Sequence, residues 1–325
     1  MAAVKIEQFI RERARELGFG AVGFAKIGPS RSTEAFRKWL TNKYCAGMHF
    51  LERHAALRSD PRKLAPAARS MVVAGARYPF EPGNCAISNF ARGTDYHLVL
   101  RSKLEQLGGS IAGKCGLENI GPICVDSDPL PEREWAVRAG IGWIGKQGSV
   151  VNPEMGCCFF IGTLMLNIEL EQSPEVYGQC GDCDLCLKAC PAGAILPENQ
   201  LDARRCVSYL TIEHRGEINH EISASFGNSV FGCDCCTSIC PWNRRGKAPL
   251  MPEFDIIPAA AFSLENLSLM DKVGFQNMFR NSAVKRVGFE RFSRNIKIAL
   301  DNQRKERNLS PPASPGPSST LAPAR

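Results

Sequence analysis

Cysteine is the residue that this chain concentrates most strongly. Nine of its 15 cysteines lie between Cys180 and Cys240. The first run, CGDCDLCLKACP, has the spacing Cys-x2-Cys-x2-Cys-x3-Cys-Pro, which is typical of thiolate ligands to paired 4Fe–4S clusters. In that arrangement three cysteines bind one cluster and the fourth binds its neighbour. A zinc site or a disulfide-linked loop is the alternative, although zinc is usually held by Cys-x2-Cys pairs.

The second run, CDCCTSICP, repeats only part of this spacing. Two clusters with four thiolates each need eight ligands, and the positions with this spacing supply seven: four in the first run and Cys233, Cys236 and Cys240 in the second. Cys206 and Cys235 are the candidates, and Cys235 adjoins Cys236, so both side chains cannot easily reach one cluster. We therefore assign Cys206. One cluster is predicted to be bound by Cys180, Cys183, Cys186 and Cys240, and the other by Cys190, Cys206, Cys233 and Cys236.

The elements around these runs divide the chain into four parts. Helical and strand patterns alternate in residues 1–170, which predicts a mixed domain of helices and strands, with the alternating, apolar residues 157–170 as a central strand. Residues 171–250 form the predicted cluster domain. Residues 251–309 are predicted to be helical and basic, with Phe289, Phe292, Ile296 and Leu300 as one buried stripe. Residues 310–325 are rich in Pro, Ser and Ala and are predicted to be disordered.

Outside the cysteine runs, Asp126 is the residue best placed for chemistry. It ends a predicted strand over residues 122–126, and a carboxylate there often faces a ligand crevice in an α/β domain. Desolvation would raise its pKa and let it donate a proton. Alternatively, Asp126 or Asp128 caps the helix that begins near Pro131. Tyr96 and His97, at the start of a predicted helix over residues 95–107, are interpreted as packing and surface groups.

Composition limits the remaining functions. The net charge of +7 equals the excess in residues 241–325, which hold 14 Lys or Arg against 7 Asp or Glu. This asymmetry indicates either a polyanionic partner or a solvated helix face carrying Arg291, Arg294 and Lys297. No apolar run is long enough to span a bilayer, and no signal peptide is evident. We expect a cytoplasmic protein without membrane association, where clustered cysteines indicate metal or redox chemistry.

Several motifs, in the same order along the chain, resemble those of the epoxyqueuosine reductases. The resemblance covers residues 5 to 300, including the first cysteine run, and its RRCVSYLT motif contains Cys206. The other motifs are RSDPRKLAPAARSMVV (58–73), ISNFARGTDYH (87–97), VDSDPLPEREWAVRAGIGWIGK (125–146) and FGCDCCTSICPWN (231–243).

The resemblance implies an α+β protein: a nitroreductase-like cobalamin-binding domain, a ferredoxin-like domain with two 4Fe–4S clusters, and a short helical C-terminus. It implies reduction of epoxyqueuosine to queuosine at the wobble position of tRNA, with electrons passing from the clusters to cobalamin. The alternatives are a cobalamin-dependent reductase of a small molecule, similar to the reductive dehalogenases, and a ferredoxin-type electron carrier, against which the long first domain argues. Asp126 matches the proton donor. The positions that resemble cobalamin contacts are Arg58, Ser88, Asp126, Lys146 and Ser208.

The resemblance also implies partners, and two departures from the family pattern bear on it. We expect tRNA, a flavodoxin- or ferredoxin-type electron donor, and a monomer. This chain reads VDSDP where family members often read VDTGP or VDSGP, so Asp128 either raises the pKa of Asp126 by charge repulsion or points away as a cap. Some members also continue into helical repeats after the cluster domain, whereas this chain continues into a helix and a tail. If those repeats help to hold tRNA, the basic helix near residues 286–297 must contribute more to tRNA binding here.

Overall fold

The computed structural model describes residues 5–83, 85–178 and 180–309, and confirms a mixed composition of helices and strands. The predicted disordered tail, residues 310–325, lies outside the described residues. The strands are Ala21–Lys26 (β1), Ser70–Arg77 (β2), Ile123–Cys124 (β3), Trp143–Ile144 (β4), Val150–Val151 (β5), Phe159–Leu166 (β6), Ile195–Leu196 (β7) and Gln200–Leu201 (β8).

Most helices are short, and two are long. The α-helices are Ile6–Glu16 (α1), Thr33–Thr41 (α2), His49–Arg53 (α3), Ala55–Ser59 (α4), Tyr96–Cys115 (α5), Glu132–Arg138 (α6), Leu185–Ala189 (α7), Val207–Ile212 (α8), His220–Ser223 (α9), Cys235–Ser238 (α10), Leu264–Ser268 (α11), Lys272–Met278 (α12) and Phe289–Leu309 (α13). The 3-10 turns are Pro61–Lys63, Asn89–Ala91, Pro197–Asn199, Ala224–Phe226, Pro241–Arg245, Pro252–Phe254, Ala259–Phe262 and Ala283–Val287.

A four-stranded sheet with the order β1-β2-β6-β3 organises the N-terminal half, and its pairings are antiparallel. The apolar run that predicted a central strand at residues 157–170 forms β6, which lies between β2 and β3. Alternate residues of β2 face opposite sides. Val72 and Ala74 pack with α1 and α5, whereas Met71 and Val73 pack with α6. Because both faces are covered, the strands are apolar almost throughout.

The chain leaves the sheet earlier than the sequence predicts. Only residues 123–124 of the predicted strand over 122–126 pair with β6. Asp126 has φ 55°, a left-handed conformation that Asp tolerates better than most residues. The Ser127 N–H donates to Val125 O at 2.6 Å and closes a tight turn. We call residues 125–128 the Asp126 loop.

Helix α5 positions the residues that face this loop. Asp95 caps it by accepting the His97 N–H at 3.1 Å. The helix continues well beyond its predicted end at residue 107. Gly108 permits this, since a Cβ there would lie 2.6 Å from the Ile120 side chain. The helix ends at Cys115, followed by left-handed Gly116.

The C-terminal segment packs against the rest of the molecule. Its predicted apolar stripe is confirmed: Phe292 and Ile296 are buried, and Phe289 and Leu300 are partly buried beside them. The predicted long helical region is broken into short turns before α13 begins. Among the described helices, none combines the length and apolarity needed to cross a bilayer.

The segment around residue 87 joins the N-terminal half to the cysteine-rich region. Ile87 forms a parallel bridge with Phe231, and the Ser88 N–H donates to Phe231 O at 2.9 Å. Ile87 and Phe231 are both fully buried with the aromatic residues of the C-terminal segment. The cysteine-rich region is therefore fixed against both flanking parts of the chain.

Candidate active site and cluster ligands

The Asp126 carboxylate accepts hydrogen bonds from the first turn of α5. The Tyr96 hydroxyl donates to its Oδ2 at 2.8 Å, and His97 Nε2 lies 3.2 Å from the same oxygen. His97 Nδ1 is held by Asp95 Oδ1 at 2.7 Å. Tyr96 does pack, stacked on Phe160 with the ring centroids 4.2 Å apart, but the interpretation missed its hydrogen bond to Asp126. The interpretation of His97 as a surface group is wrong, because its side chain is mostly buried between Asp95 and Asp126. Both residues directly follow the helix cap, and their hydrogen bonds to residue 126 left no local pattern in the sequence.

These contacts decide the charge of Asp126. Desolvation raises the pKa of Asp126, but the hydrogen bonds from His97 and Tyr96 together lower it by more. The resulting pKa is below the ordinary value of an aspartate. For His97, desolvation lowers the pKa, whereas the hydrogen bonds to Asp126 and Asp95 raise it above the ordinary value. The raised pKa expected for Asp126 is thus not found in this structure. The same contacts favour the charged carboxylate of Asp126 and the protonated ring of His97.

The neutral carboxylic acid of this site is Glu132 instead. Its Oε1 accepts the backbone N–H of Asp126 at 2.9 Å. Desolvation, with a further contribution from the charge of Asp126, raises the pKa of Glu132 to about 8. Sequence reasoning missed Glu132 because an acid in the first turn of a helix is ordinarily explained by the helix dipole.

Asp128 is a structural residue of the Asp126 loop. Its Oδ2 accepts the Val125 N–H at 2.8 Å and pairs with Arg101 at 3.1 Å. It does not contact the Asp126 carboxylate or cap α6, whose N-cap position is Pro131 without a side-chain bond. Neither Asp126 nor Asp128 is therefore the cap of α6, so the predicted helix cap is wrong. The Asp128 carboxylate points away from Asp126, the proposed acid.

Of the predicted cofactor contacts Arg58 and Lys146, only Arg58 has an unsatisfied donor. Arg58, in α4, is close enough to Asp126 and Glu132 for their charges to raise its pKa, although desolvation lowers it more. Its buried Nε has no hydrogen-bond partner. Lys146, in the turn between β4 and β5, donates from Nζ to Gly181 O at 2.7 Å, which ties this turn to the first cysteine run.

Ser88 is differently placed. It is 2% exposed, and its hydroxyl donates to Asp234 Oδ1 at 2.5 Å. Asp234 Oδ2 also accepts the Asn89 N–H at 2.7 Å and Asn89 Nδ2 at 2.8 Å. The buried, occupied hydroxyl argues against the predicted direct contact with a cofactor. Ser88 instead fixes the loop between Cys233 and Cys236 against the N-terminal half.

We expect Asp234→Ala to destabilise the protein by about 3 kcal/mol, because it leaves three buried donors without an acceptor. Urea unfolding followed by circular dichroism measures this. Asp182→Ala removes an exposed carboxylate from the same region and is the matched control. If Asp234→Ala lowered the free energy of unfolding no more than the control does, the hydrogen bonds of Asp234 with Ser88 and Asn89 would contribute little to stability.

The nine clustered cysteines are free thiols. The pKa of Cys206 is raised by desolvation and then by Cys190. The pKa of Cys236 is raised by desolvation and then by Cys206, Cys157, Cys190 and Cys186, so Cys190, Cys206 and Cys236 lie near one another and Cys186 lies close by. Cys180 and Cys183 likewise affect the pKa of Cys186. Within the described residues, no three Cys, His, Asp or Glu side chains close around a single metal position.

Two further residues lie close to these cysteines in the chain: Ser208, a predicted cobalamin contact, and Cys235, the other candidate for the last cluster ligand. Ser208 lies in α8, two residues after Cys206, and its carbonyl accepts the Thr211 hydroxyl at 3.1 Å. The Cys235 thiol interacts with Cys233, and this contact lowers the pKa of Cys235 to about 7. Cys235 therefore contacts Cys233, which is assigned to the same cluster as Cys190, Cys206 and Cys236.

The basic face predicted on α13 is largely used inside the protein. Arg291 donates to Ile212 O at 2.8 Å, and Arg294 donates to Leu210 O at 3.1 Å and Gly216 O at 2.6 Å. These guanidinium groups satisfy carbonyls at the end of α8, which have no partner within their own helix. Lys297 remains exposed. The prediction that Arg291 and Arg294 form a solvent-facing basic surface is therefore wrong.

The chain matches two family models. The model for a 4Fe-4S double cluster binding domain covers residues 179–243, and the model for epoxyqueuosine reductase QueG covers residues 58–127. A curated relative, the epoxyqueuosine reductase of Alicycliphilus denitrificans, is 37% identical over 310 residues, covering 89% of this chain and 85% of the relative.

Solved structures of similar proteins agree along most of the chain. A crystal structure of epoxyqueuosine reductase with an epoxyqueuosine-modified tRNA-Tyr stem loop superimposes with a TM-score of 0.84 at 29% identity, over 92% of this chain and 81% of that one. An epoxyqueuosine reductase from Bacillus subtilis, with its catalytic aspartate loop swung out of the active site, gives 0.82 at 28% identity, over 92% and 82%.

Proposed function

Because this chain belongs to the epoxyqueuosine reductase family, we propose that it reduces epoxyqueuosine to queuosine in tRNA. The observation that carries this proposal is the 37% identity to a curated reductase along 89% of the chain. The hydrogen-bonded Asp126 loop supports it, since the aspartate matches the acid of the family motif. The reaction takes two electrons and two protons and converts the epoxide to an alkene and water.

The cysteines are proposed to hold two 4Fe–4S clusters, as first assigned. Free thiols fit this donor set, and cysteine thiolates are the usual ligands of such clusters. Cys206 is proposed to complete the second set because it lies near Cys190 and Cys236 and matches the cysteine of the family motif RRCVSYLT. Cys235 adjoins Cys236 in the chain, and neighbouring side chains point apart. The match to the double-cluster family model supports the same number.

Cobalamin is the proposed second cofactor, and it would supply a strongly reducing cobalt centre. The residues proposed to hold it are Arg58, Asp126, Lys146 and Ser208. The buried Arg58 Nε, a donor without a partner, fits a ligand rich in carboxamide acceptors. Ser88 acts in this proposal through the Asp234 junction, which fixes the cluster domain in place.

The chain's own residues move the proton. Protonated His97 holds it at Nε2, 3.2 Å from Asp126 Oδ2, while Asp95 holds the other ring nitrogen. Asp126 passes this proton to the departing epoxide oxygen, and Tyr96 keeps the carboxylate oriented. A ligand that covers Asp126, whose side chain is 59% exposed, raises its pKa by desolvation and favours this transfer.

His97→Gln is expected to lower turnover by about 10²-fold, because the glutamine amide keeps a hydrogen-bond donor but has no acidic proton to transfer to Asp126. Wild-type turnover should fall as the pH rises through the raised pKa of His97, where the ring loses its proton. The variant should lose this dependence on pH. Single-turnover rates from pH 6 to 9 test it, and a variant that retained the wild-type profile would exclude His97 as the proton store.

The remaining assignments complete the proposal. Residues 1–170 are a nitroreductase-like domain, 171–250 a ferredoxin-like domain and 251–309 a helical segment. The enzyme acts in the cytoplasm as a monomer and receives electrons from a flavodoxin or ferredoxin. Arg286, whose Nη1 lies 3.2 Å from Ser127 Oγ, brings the basic segment to the Asp126 loop, where the tRNA anticodon would bind.

Nucleoside analysis of cellular tRNA tests the function. Cells without the gene should accumulate epoxyqueuosine, and restoring the gene should convert it to queuosine. The Asp126→Asn gene is the matched control and should not restore queuosine. Unchanged queuosine in cells without the gene, when no other reductase is present, would contradict the proposal.

A further inference from the structure

The side chain of Glu132 holds the backbone of the Asp126 loop. The backbone N–H of Asp126, at the left-handed position, donates to Glu132 Oε1 at 2.9 Å. Glu132 begins α6, and the helix is anchored by Trp135 and Ala136, both fully buried. The fixed partner is therefore the glutamate, and the movable partner is the loop.

Glu132 lies among charges that oppose its ionisation. After desolvation, the charge of Asp126 raises its pKa most, and Asp128 raises it further, whereas the hydrogen bond from the Asp126 N–H and the nearby Arg58 lower it by less. The Cys124 thiol, in β3, also faces Glu132: desolvation raises the pKa of this thiol most, and the charges of Asp128 and Glu132 raise it further. With desolvation as the largest effect, the pKa of Glu132 is about 8, so the side chain is mostly neutral at pH 7.

We propose that Glu132 is a positioning residue that holds the Asp126 loop inward through the Asp126 N–H, and that loss of its proton releases the loop. An ionised Glu132 would place two carboxylates close together in a desolvated site. The loop can relieve their repulsion by moving outward, because the Asp126 side chain is already 59% exposed. This inference rests on the proposed role of Asp126, but its test requires neither tRNA nor turnover.

Tyr96 and His97 hold the Asp126 carboxylate but do not contact the loop backbone. The two remaining side-chain contacts of the loop are weaker anchors. Arg286 and Arg101, which contact Ser127 and Asp128, are 49% and 45% exposed. Solvent competes with such contacts, so they hold the loop less firmly than the bond to Glu132. The related Bacillus subtilis reductase has its aspartate loop swung out. We infer that Glu132 sets the balance between the two loop positions in this chain.

Hydrogen–deuterium exchange of the cluster-loaded protein measures the loop directly. In the wild type, protection of a peptide containing residues 125–132, corrected for intrinsic exchange, should fall about tenfold between pH 7 and 9. Glu132→Gln, which is neutral and keeps the acceptor oxygen, should show constant protection. Glu132→Ala should show low protection at both pH values. Glu134→Gln, in the same helical turn, is the control and should follow the wild type.

Two results would overturn the proposal: a pH-dependent loss in Glu132→Gln equal to that of the wild type, or full protection in Glu132→Ala. Unfolding gives an independent check. The folded state keeps the Glu132 proton to about pH 8, whereas the unfolded state loses it near 4.5. Relative to Glu132→Gln, the wild-type unfolding constant should therefore rise about tenfold per pH unit between these values, and equal slopes would also overturn it.

Discussion

Replacing Asp126 with asparagine is expected to lower single-turnover reduction of an epoxyqueuosine-modified tRNA stem loop by about 10²- to 10⁴-fold, the usual contribution of a positioned proton-transfer group. Asparagine keeps an oxygen for the Tyr96 hydroxyl, 2.8 Å away in the wild type, but it cannot take the proton from His97. The loop should stay in place, since its bond to Glu132 uses the backbone N–H. Rapid quenching with nucleoside mass spectrometry measures the rate.

Asp128→Asn is the matched control for this experiment. It removes the same charge from the same loop, but its carboxylate faces Val125 N and Arg101. Asparagine can still accept the Val125 N–H, so the rate should fall less than about tenfold. Equal losses for the two variants would indicate that the loop needs both charges for its structure. An unchanged rate in Asp126→Asn would exclude it as the proton donor.

Cys206→Ser is expected to lower the iron content from about eight atoms per chain to about four, because one cluster loses a ligand. Serine is nearly the same size, so the fold around Cys190 and Cys236 should accept it. Iron and sulfide analysis after anaerobic reconstitution measures the loss, and electron paramagnetic resonance of the reduced protein should show one cluster. Urea unfolding should show lower stability as well, since cluster binding and folding are coupled.

Cys235→Ser is the control, because Cys235 is the other candidate for the last ligand and adjoins Cys236, so the two side chains point apart. It should keep both clusters. Loss of a cluster in Cys235→Ser, together with a full iron content in Cys206→Ser, would reverse the assignment of the last ligand.

Sequence spacing predicted those features that depend on local pattern. The cysteine runs, the inner strand at Phe159–Leu166 and the apolar stripe of Phe292 and Ile296 each depend on a short, regular repeat. Asp126 was found because it follows an apolar run. The argument borrowed from parallel sheets does not apply, however, since the pairings of this sheet are antiparallel. Its placement comes instead from the left-handed turn.

Long-range contacts could not be predicted in the same way. Tyr96 and His97 lie about 30 residues before Asp126, and only the packing of α5 beside β3 brings them together. Arg291 and Arg294 have the spacing of an exposed face, yet they reach carbonyls about 80 residues earlier in the chain. In both cases tertiary structure determines whether a polar side chain faces solvent or a partner.

The most direct test of the central claim is the conversion of an epoxyqueuosine-modified tRNA stem loop by the purified protein. The protein would carry its clusters and cobalamin, receive electrons from a low-potential reductant, and be compared with Asp126→Asn prepared in the same way. Nucleoside mass spectrometry should show queuosine, with loss of one oxygen atom, for the wild type alone. Epoxyqueuosine left unchanged by the fully loaded wild-type protein, under conditions in which a relative converts it, would contradict the claim.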